Sequence, residues 1–195
     1  MTLEEWAAQD EDEEGELVDG RLVEEEVPSF LHEAIVAWLI RTLSAWALPA
    51  GGWVFGSEAK FAVGPRRGRK PDVSVFPAGS TAPYGRSSLG RTPPGIMVEV
   101  ITARPRDARR DRVEKLRDYS LFGVGSYWLV DPRQRTLEVL LLASGGCYQI
   151  ALAASEGAHA VPGCEGLVID LDALWAEVDR LPEIVDDSGT QDEDA

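Results

Sequence analysis

Two acids in this chain stand where an acid is costly. Glu99 lies in the middle of Gly95-Ile-Met-Val-Glu-Val-Ile101, a nearly continuous apolar run that reads as a central strand covered on both faces. An ionised carboxylate left unpaired there would cost several kcal/mol, so it must have a partner. Asp72 opens the preceding run of β-formers, Pro71-Asp-Val-Ser-Val-Phe76, bounded by Pro71 and Pro77. If the two runs are neighbours, their carboxylates meet at one end of a sheet, and a divalent cation is the simplest partner for both. Hard oxygen ligands, with no Cys or His motif in reach, select Mg²⁺ or Mn²⁺ over zinc or copper. Such an ion suits phosphate chemistry: it polarises a phosphoryl oxygen, lowers the pKa of bound water and aligns the attack.

The elements that must hold these acids follow from patterning. Glu16 to Val27 places Asp19-Gly20 between two short alternating runs, the strongest hairpin signal in the chain. Ser29 caps a helix from Phe30 to Leu48, with Leu31, Ile35, Trp38, Leu39, Thr42 and Trp46 at helical spacing and Pro49 and Gly51-Gly52 ending it. Extended runs follow at Trp53 to Gly56 and Ala59 to Val63, then a basic loop, the Asp72 run, a long Gly/Pro/Ser-rich loop from Pro77 to Pro94, and the Glu99 run. Asp107 to Phe122 reads as helix, stopped at Gly123. Tyr127 to Asp131 is a second buried strand, and Thr136 to Leu142 and Gly146 to Ala154 form a meander. Asp170 caps a last helix, Leu171 to Leu181. The fold class is α/β: a mixed sheet in the order αβββαβ flanked by helices, with an N-terminal hairpin and extra C-terminal strands.

The chain of 195 residues carries a formal charge of -15, which at first sight excludes a polyanion as partner. The distribution reverses that. Residues 1 to 26 hold 12 acids and only Arg21, and residues 183 to 195 hold six acids and no base, which leaves the body between them at +2. Three segments are expected: an acidic stretch over residues 1–15, one domain over 16–182 and a disordered acidic tail over 183–195. Within the body, Pro65-Arg-Arg-Gly-Arg-Lys-Pro71 and Arg104 to Arg117 form two basic patches that suit a local anionic partner. Cys147 and Cys164 have neither C-x-x-C spacing nor a His cluster, so no disulfide framework or zinc site is expected. The N-terminus lacks the pattern of a signal peptide, and no long apolar stretch reads as a membrane span; a cytoplasmic protein is expected.

The ordered blocks Glu16-Leu-Val-Asp-Gly20, Pro28-Ser29 with His32, Pro71-Asp-Val73, Val98-Glu-Val100, Arg110-Asp-Arg-Val-Glu-Lys-Leu-Arg-Asp-Tyr119 and Gly125-Ser-Tyr-Trp-Leu-Val-Asp-Pro132 are similar to the PD-(D/E)XK nuclease superfamily, of restriction-endonuclease-like fold. The closer resemblance is to its Uma-two branch of bacterial endonucleases, and it runs from about residue 16 to 142. The resemblance implies a metal-dependent endonuclease that hydrolyses phosphodiester bonds, in DNA, with a water activated by Mg²⁺ or Mn²⁺. Asp72 and Glu99 would bind the metal, with the backbone carbonyl of Val100. A homodimer is expected by the same analogy.

The sequence departs from the superfamily at Ile101, which stands where a lysine would contact the reacting phosphate. Lys115, on the following helix, is the substitute, and Arg112, one turn earlier, is the rival cation. Glu58 could add a third carboxylate, although a solvent-facing position opposite Lys60 is the plainer reading; His32 could line the site. Arg66, Arg67, Arg69, Lys70, Arg109 and Arg110 flank the acids in sequence and are the expected phosphate contacts, against the alternative that they balance neighbouring acids on a solvated surface. The rival function is a catalytically inactive nuclease-fold module that binds nucleic acid or protein.

Overall fold

The computed structural model describes residues 1–9, 15–24, 27–81, 85–102, 104 and 108–182. The expected start of a helix at Asp107 and the expected disordered tail over 183–195 lie outside the described residues. The chain opens with α1 (Leu3–Ala7), capped by Thr2, where no element was expected; it buries Leu3 and Trp6. The hairpin follows as β1 (Glu16–Val18) and β2 (Arg21–Val23), turned by Asp19 and Gly20 at φ 53° and 80°. Two successive positive φ angles are what a two-residue turn between twisted strands requires. Helix α2 (Phe30–Ala47) begins where Ser29 accepts the His32 N–H.

Strands β3 (Trp53–Phe55), β4 (Phe61–Gly64), β5 (Arg67–Arg69), β6 (Val73–Phe76) and β7 (Ile96–Val100) come next. Helix α3 starts as a π-helical stretch, Arg110–Lys115, and continues as an α-helix, Leu116–Phe122. Strands β8 (Ser126–Asp131), β9 (Thr136–Leu142), β10 (Tyr148–Ala154), β11 (Ala158–Ala160) and β12 (Val168–Asp170) and helix α4 (Leu171–Val178) complete the fold. Asp170 caps α4 as expected.

Six strands form the main sheet in the order β10-β9-β8-β7-β6-β3. Its pairings are antiparallel except β7 with β8, the two strands joined through α3. Between α2 and α3 this sheet takes β3, β6 and β7, so the expected αβββαβ order holds. Two corrections accompany it. The run at Ala59 to Val63 leaves the main sheet as β4, and the stretch read as a basic loop is strand β5. Both join the hairpin in a second sheet ordered β2-β1-β5-β4.

Side-chain alternation along β7 decides what each face can do. Val98 and Val100 pack toward Ile35, Leu39 and Leu43 of α2 and Leu174 and Trp175 of α4, in a core shared with Val73, Val75, Trp128 and Val130. Met97 and Ile101 point to the opposite face, among Tyr119, Tyr127, Leu129 and Phe61. By the period of two, Glu99 belongs to this second face, the one covered by α3.

Candidate active site

Strand β6 pairs antiparallel with β7, Val73 opposite Val98 and Ser74 opposite Met97. Extended by one residue, that register sets Asp72 opposite Glu99, where neighbouring strands bring side chains to within about 5 Å at Cβ. The contact is confirmed by the backbone: Val100 N–H donates to Asp72 Oδ2 at 2.7 Å. The two acids come from different runs and converge because adjacent strands share one face.

Lys115 joins them from α3. Its Nζ lies 2.8 Å from Glu99 Oε2, and both side chains are 3% exposed. An ammonium from the helix thus stands beside Glu99, while Ile101 is buried in the apolar layer of the same face. Tyr119, one turn on, donates its hydroxyl to Glu99 Oε1 at 2.6 Å. Two further carboxylates close around the ammonium: Glu16 Oε1 at 3.3 Å and Asp111 Oδ1 at 3.5 Å. On the open side, His32 Nε2 lies 3.2 Å from Asp72 Oδ1, placed there by the first turn of α2. π-Helical segments gather at functional sites, and here the π-helical opening of α3 carries both Asp111 and Lys115 inward.

The electrostatics follow from burial and crowding. Burial pushes the Glu99 carboxyl well above its ordinary value; Lys115 opposes this, and Asp72, Asp111 and Glu16 add to it. Burial raises Asp111 too, against Lys115 and Arg110. Burial alone would raise Glu16, yet Lys115, Arg69, Arg110 and the Lys70 N–H together hold it below its ordinary value. His32 loses some basicity to burial but gains more from its bond to Asp72 and from Glu33, so its pKa rises.

Glu16 and Asp111 were not singled out from the sequence. Glu16 is the first residue of a three-residue strand and has no periodic signature of burial. Asp111 had only its spacing, four residues before Lys115.

Other expected site residues are placed elsewhere, and these are corrections. Arg112 turns away from Glu99 to Glu138 (2.6 Å) and Asp131 (3.1 Å). Glu58 adds no third carboxylate: it faces solvent, as the plainer reading expects, 80% exposed and paired with Lys70. Arg69 is wholly buried, its guanidinium bonded to Glu16 at 2.6 Å and Asp118 at 2.8 Å, so it presents nothing to a phosphate. Arg110 is buried with its Nε 3.9 Å from Glu16. Arg67 bridges Asp19 and Asp118. Arg66 and Arg109 remain exposed.

The donor set fits a hard cation. Two mutually repelling carboxylates face each other, and each oxygen, even after accepting one hydrogen bond, keeps a further lone pair. Among the described residues no three His, Cys, Asp or Glu side chains form a ready cage. Mg²⁺ does not require one, because it binds through one or two carboxylates and fills its octahedron with water and substrate phosphate.

The mixed sheet, with helices on both faces and the parallel β7–β8 pair joined through α3, is the architecture of the restriction-endonuclease-like class of folds. The family model Uma2, described as "Putative restriction endonuclease", matches residues 2–178, and the chain belongs to that family. Among solved structures the chain is similar to one from Anabaena variabilis ATCC 29413, described as "a putative nuclease belonging to DUF820". The two share 18% identity over 91% of this chain and 99% of that one, with a TM-score of 0.74, which is a likeness of fold. No curated protein matches the chain. Among the described residues no helix is long and apolar enough to cross a membrane.

Proposed function

We infer that this chain is a metal-dependent endonuclease hydrolysing phosphodiester bonds in DNA, acting as a homodimer. The observation that carries the reading is the convergence of Asp72 and Glu99 on one sheet face, with Lys115 Nζ 2.8 Å from the Glu99 carboxylate. Asp72, Glu99 and the carbonyl of Val100 would hold Mg²⁺ or Mn²⁺, which when bound polarises the phosphoryl oxygen and lowers the pKa of water beside it.

The chain's own residues do the remainder. Lys115 keeps a positive charge where negative charge develops on the phosphate, and a buried ammonium acts more strongly there than one in water. Tyr119 fixes the Glu99 carboxylate, leaving it one orientation. His32 holds Asp72 from the solvent side and gives it a proton-bearing neighbour. Arg66, exposed at the turn between β4 and β5, and Arg109, exposed next to Arg110, would neutralise backbone phosphates.

The test is cleavage of plasmid and oligonucleotide DNA with Mg²⁺ or Mn²⁺. Cleavage should stop with EDTA and fall at least about a hundredfold in Glu99→Gln and Lys115→Met, the scale of losing one electrostatic stabiliser. The reading fails if both variants cleave like the wild type. DNA binding without any cleavage would instead support the inactive module, which a lysine moved off its strand makes a fair competitor.

A further inference from the structure

The two most exposed large apolar side chains among the described residues stand three positions apart, beside the candidate site. Phe30, the first residue of α2, is 90% exposed, and Val27 is 77% exposed. The chain's other four phenylalanines are buried or half-buried. An aromatic ring is among the largest apolar groups a fold can bury, and Phe30 is left in water. The helix does not need the ring, because Ser29 caps it and Ile35, Leu39 and Leu43 anchor it to the core. What the ring has is its place. His32, two residues on, puts Nε2 3.2 Å from Asp72 Oδ1. Helical residues two apart lie about 5.4 Å apart at Cα, so Phe30 stands at the rim of the site. Ser29 Oγ accepts the His32 N–H and Ser29 O the Glu33 N–H, which fixes the turn that carries the ring relative to the acids.

We propose that Phe30 stacks on an unpaired base of the strand whose phosphate is bound at Asp72 and Glu99, so that the chain favours DNA with unpaired or mismatched bases beside the scissile bond. The inference rests on the function proposed above and names its substrate class. Charge selects a base as the occupant. Glu24, Glu25 and Glu26 precede Val27 and Glu33 follows Phe30, so an anionic surface, whether a membrane or a phosphate backbone, is repelled here. A base is uncharged and offers a π-face. Phosphates also find few free cations, since Arg67, Arg69 and Lys70 are paired with Asp118, Glu16 and Glu58. Stacking on an aromatic ring adds affinity without regard to base identity. Taking a base out of its stack costs least where the base is already unpaired, which sets the preference.

Fluorescence anisotropy of labelled DNA with the full chain tests it, with Ca²⁺ in place of Mg²⁺ to hold the strand uncut. The two probes are a duplex and the same duplex with a short internal bubble. The wild type should bind the bubble more tightly. Phe30→Ala should weaken bubble binding at least about fivefold and leave the slope of log K against log salt unchanged, because no charge is removed. Phe30→Trp should restore binding, and Leu121→Ala, which trims another exposed apolar side chain, should bind like the wild type. If the wild type binds and cleaves DNA while Phe30→Ala binds the bubble as tightly, or if the wild type has no preference for the bubble, the stacking proposal falls alone. A wild type that binds neither probe removes the proposed function and this inference together. A change in the sedimentation of DNA-free protein on Phe30→Ala would assign the exposed ring to a second copy and overturn the proposal as well.

Discussion

Glu16 shows how one buried side chain serves both the fold and the site. It is 0% exposed, bonds Arg69 at 2.6 Å, accepts the Lys70 N–H at 2.9 Å and lies 3.3 Å from the Lys115 ammonium. Those partners hold its carboxyl below the ordinary value of 4.5, despite a burial that alone would raise it. The ionised form therefore contributes stability that is fully present above pH 4.5 and is lost as pH falls through the depressed folded value. Glu16→Gln should cost about 3–5 kcal/mol at pH 7, the scale of breaking a buried pair, and the difference from wild type should narrow below pH 4.5. Urea unfolding of both proteins across that range measures it; a constant gap would show that the charge of Glu16 is not what stabilises. None of this could be read from the chain, because an acid at the start of a short strand looks the same whether it meets water or an arginine.

At the scale of elements, β5 is a strand that patterning missed, as are the short β11 and β12. Arg67-Gly-Arg69 has neither apolar alternation nor β-branched residues, so it reads as part of a basic loop. It is a strand because β1 and β4 flank it and because Gly68 lets the Trp6 ring of α1 lie flat on its backbone. A Cβ built on Gly68 would stand 2.2 Å from Trp6 Cζ3. Gly68→Ala should therefore destabilise the fold by about 1–3 kcal/mol, the usual scale of overpacking, and shift tryptophan fluorescence as Trp6 is displaced. Unchanged fluorescence and stability would show that α1 does not depend on this contact. Elements with local signals were legible: the Asp19-Gly20 turn, the Ser29 and Asp170 caps and the Gly123 stop each act through chemistry within a few residues. The π-helical opening of α3 had no such signal. It arises where Asp111 and Lys115 turn inward to the carboxylates while Arg112 turns to Asp131 and Glu138.

For the whole molecule, the balance of charge sets what nucleic acid could meet. The body between the acidic ends is nearly neutral, and most of its basic run is paired internally, so few cations remain for phosphates. DNA affinity should accordingly depend weakly on salt. Arg66→Ala and Arg109→Ala should each lower the slope of log K against log salt by about 0.9, one phosphate contact apiece. Titrations at several salt concentrations check this, and an unaltered slope in the double variant would remove both residues from the interface.

The chain by itself determined the main-sheet strands with the helices α2, α3 and α4, the two costly acids at Asp72 and Glu99, and a lysine on the helix between β7 and β8. Those are properties of type and spacing along the backbone, carried by local propensity and by the energetic cost of a buried charge. Only the tertiary structure decided which groups surround them. Strand register set Asp72 across from Glu99, and the packing of the second sheet brought Glu16 in from the hairpin. The same burial turned Arg69 from an expected phosphate contact into an internal counter-ion. Partners distant in sequence are chosen by how sheets and helices close on one another, and that closure leaves no mark on the spacing of any single segment.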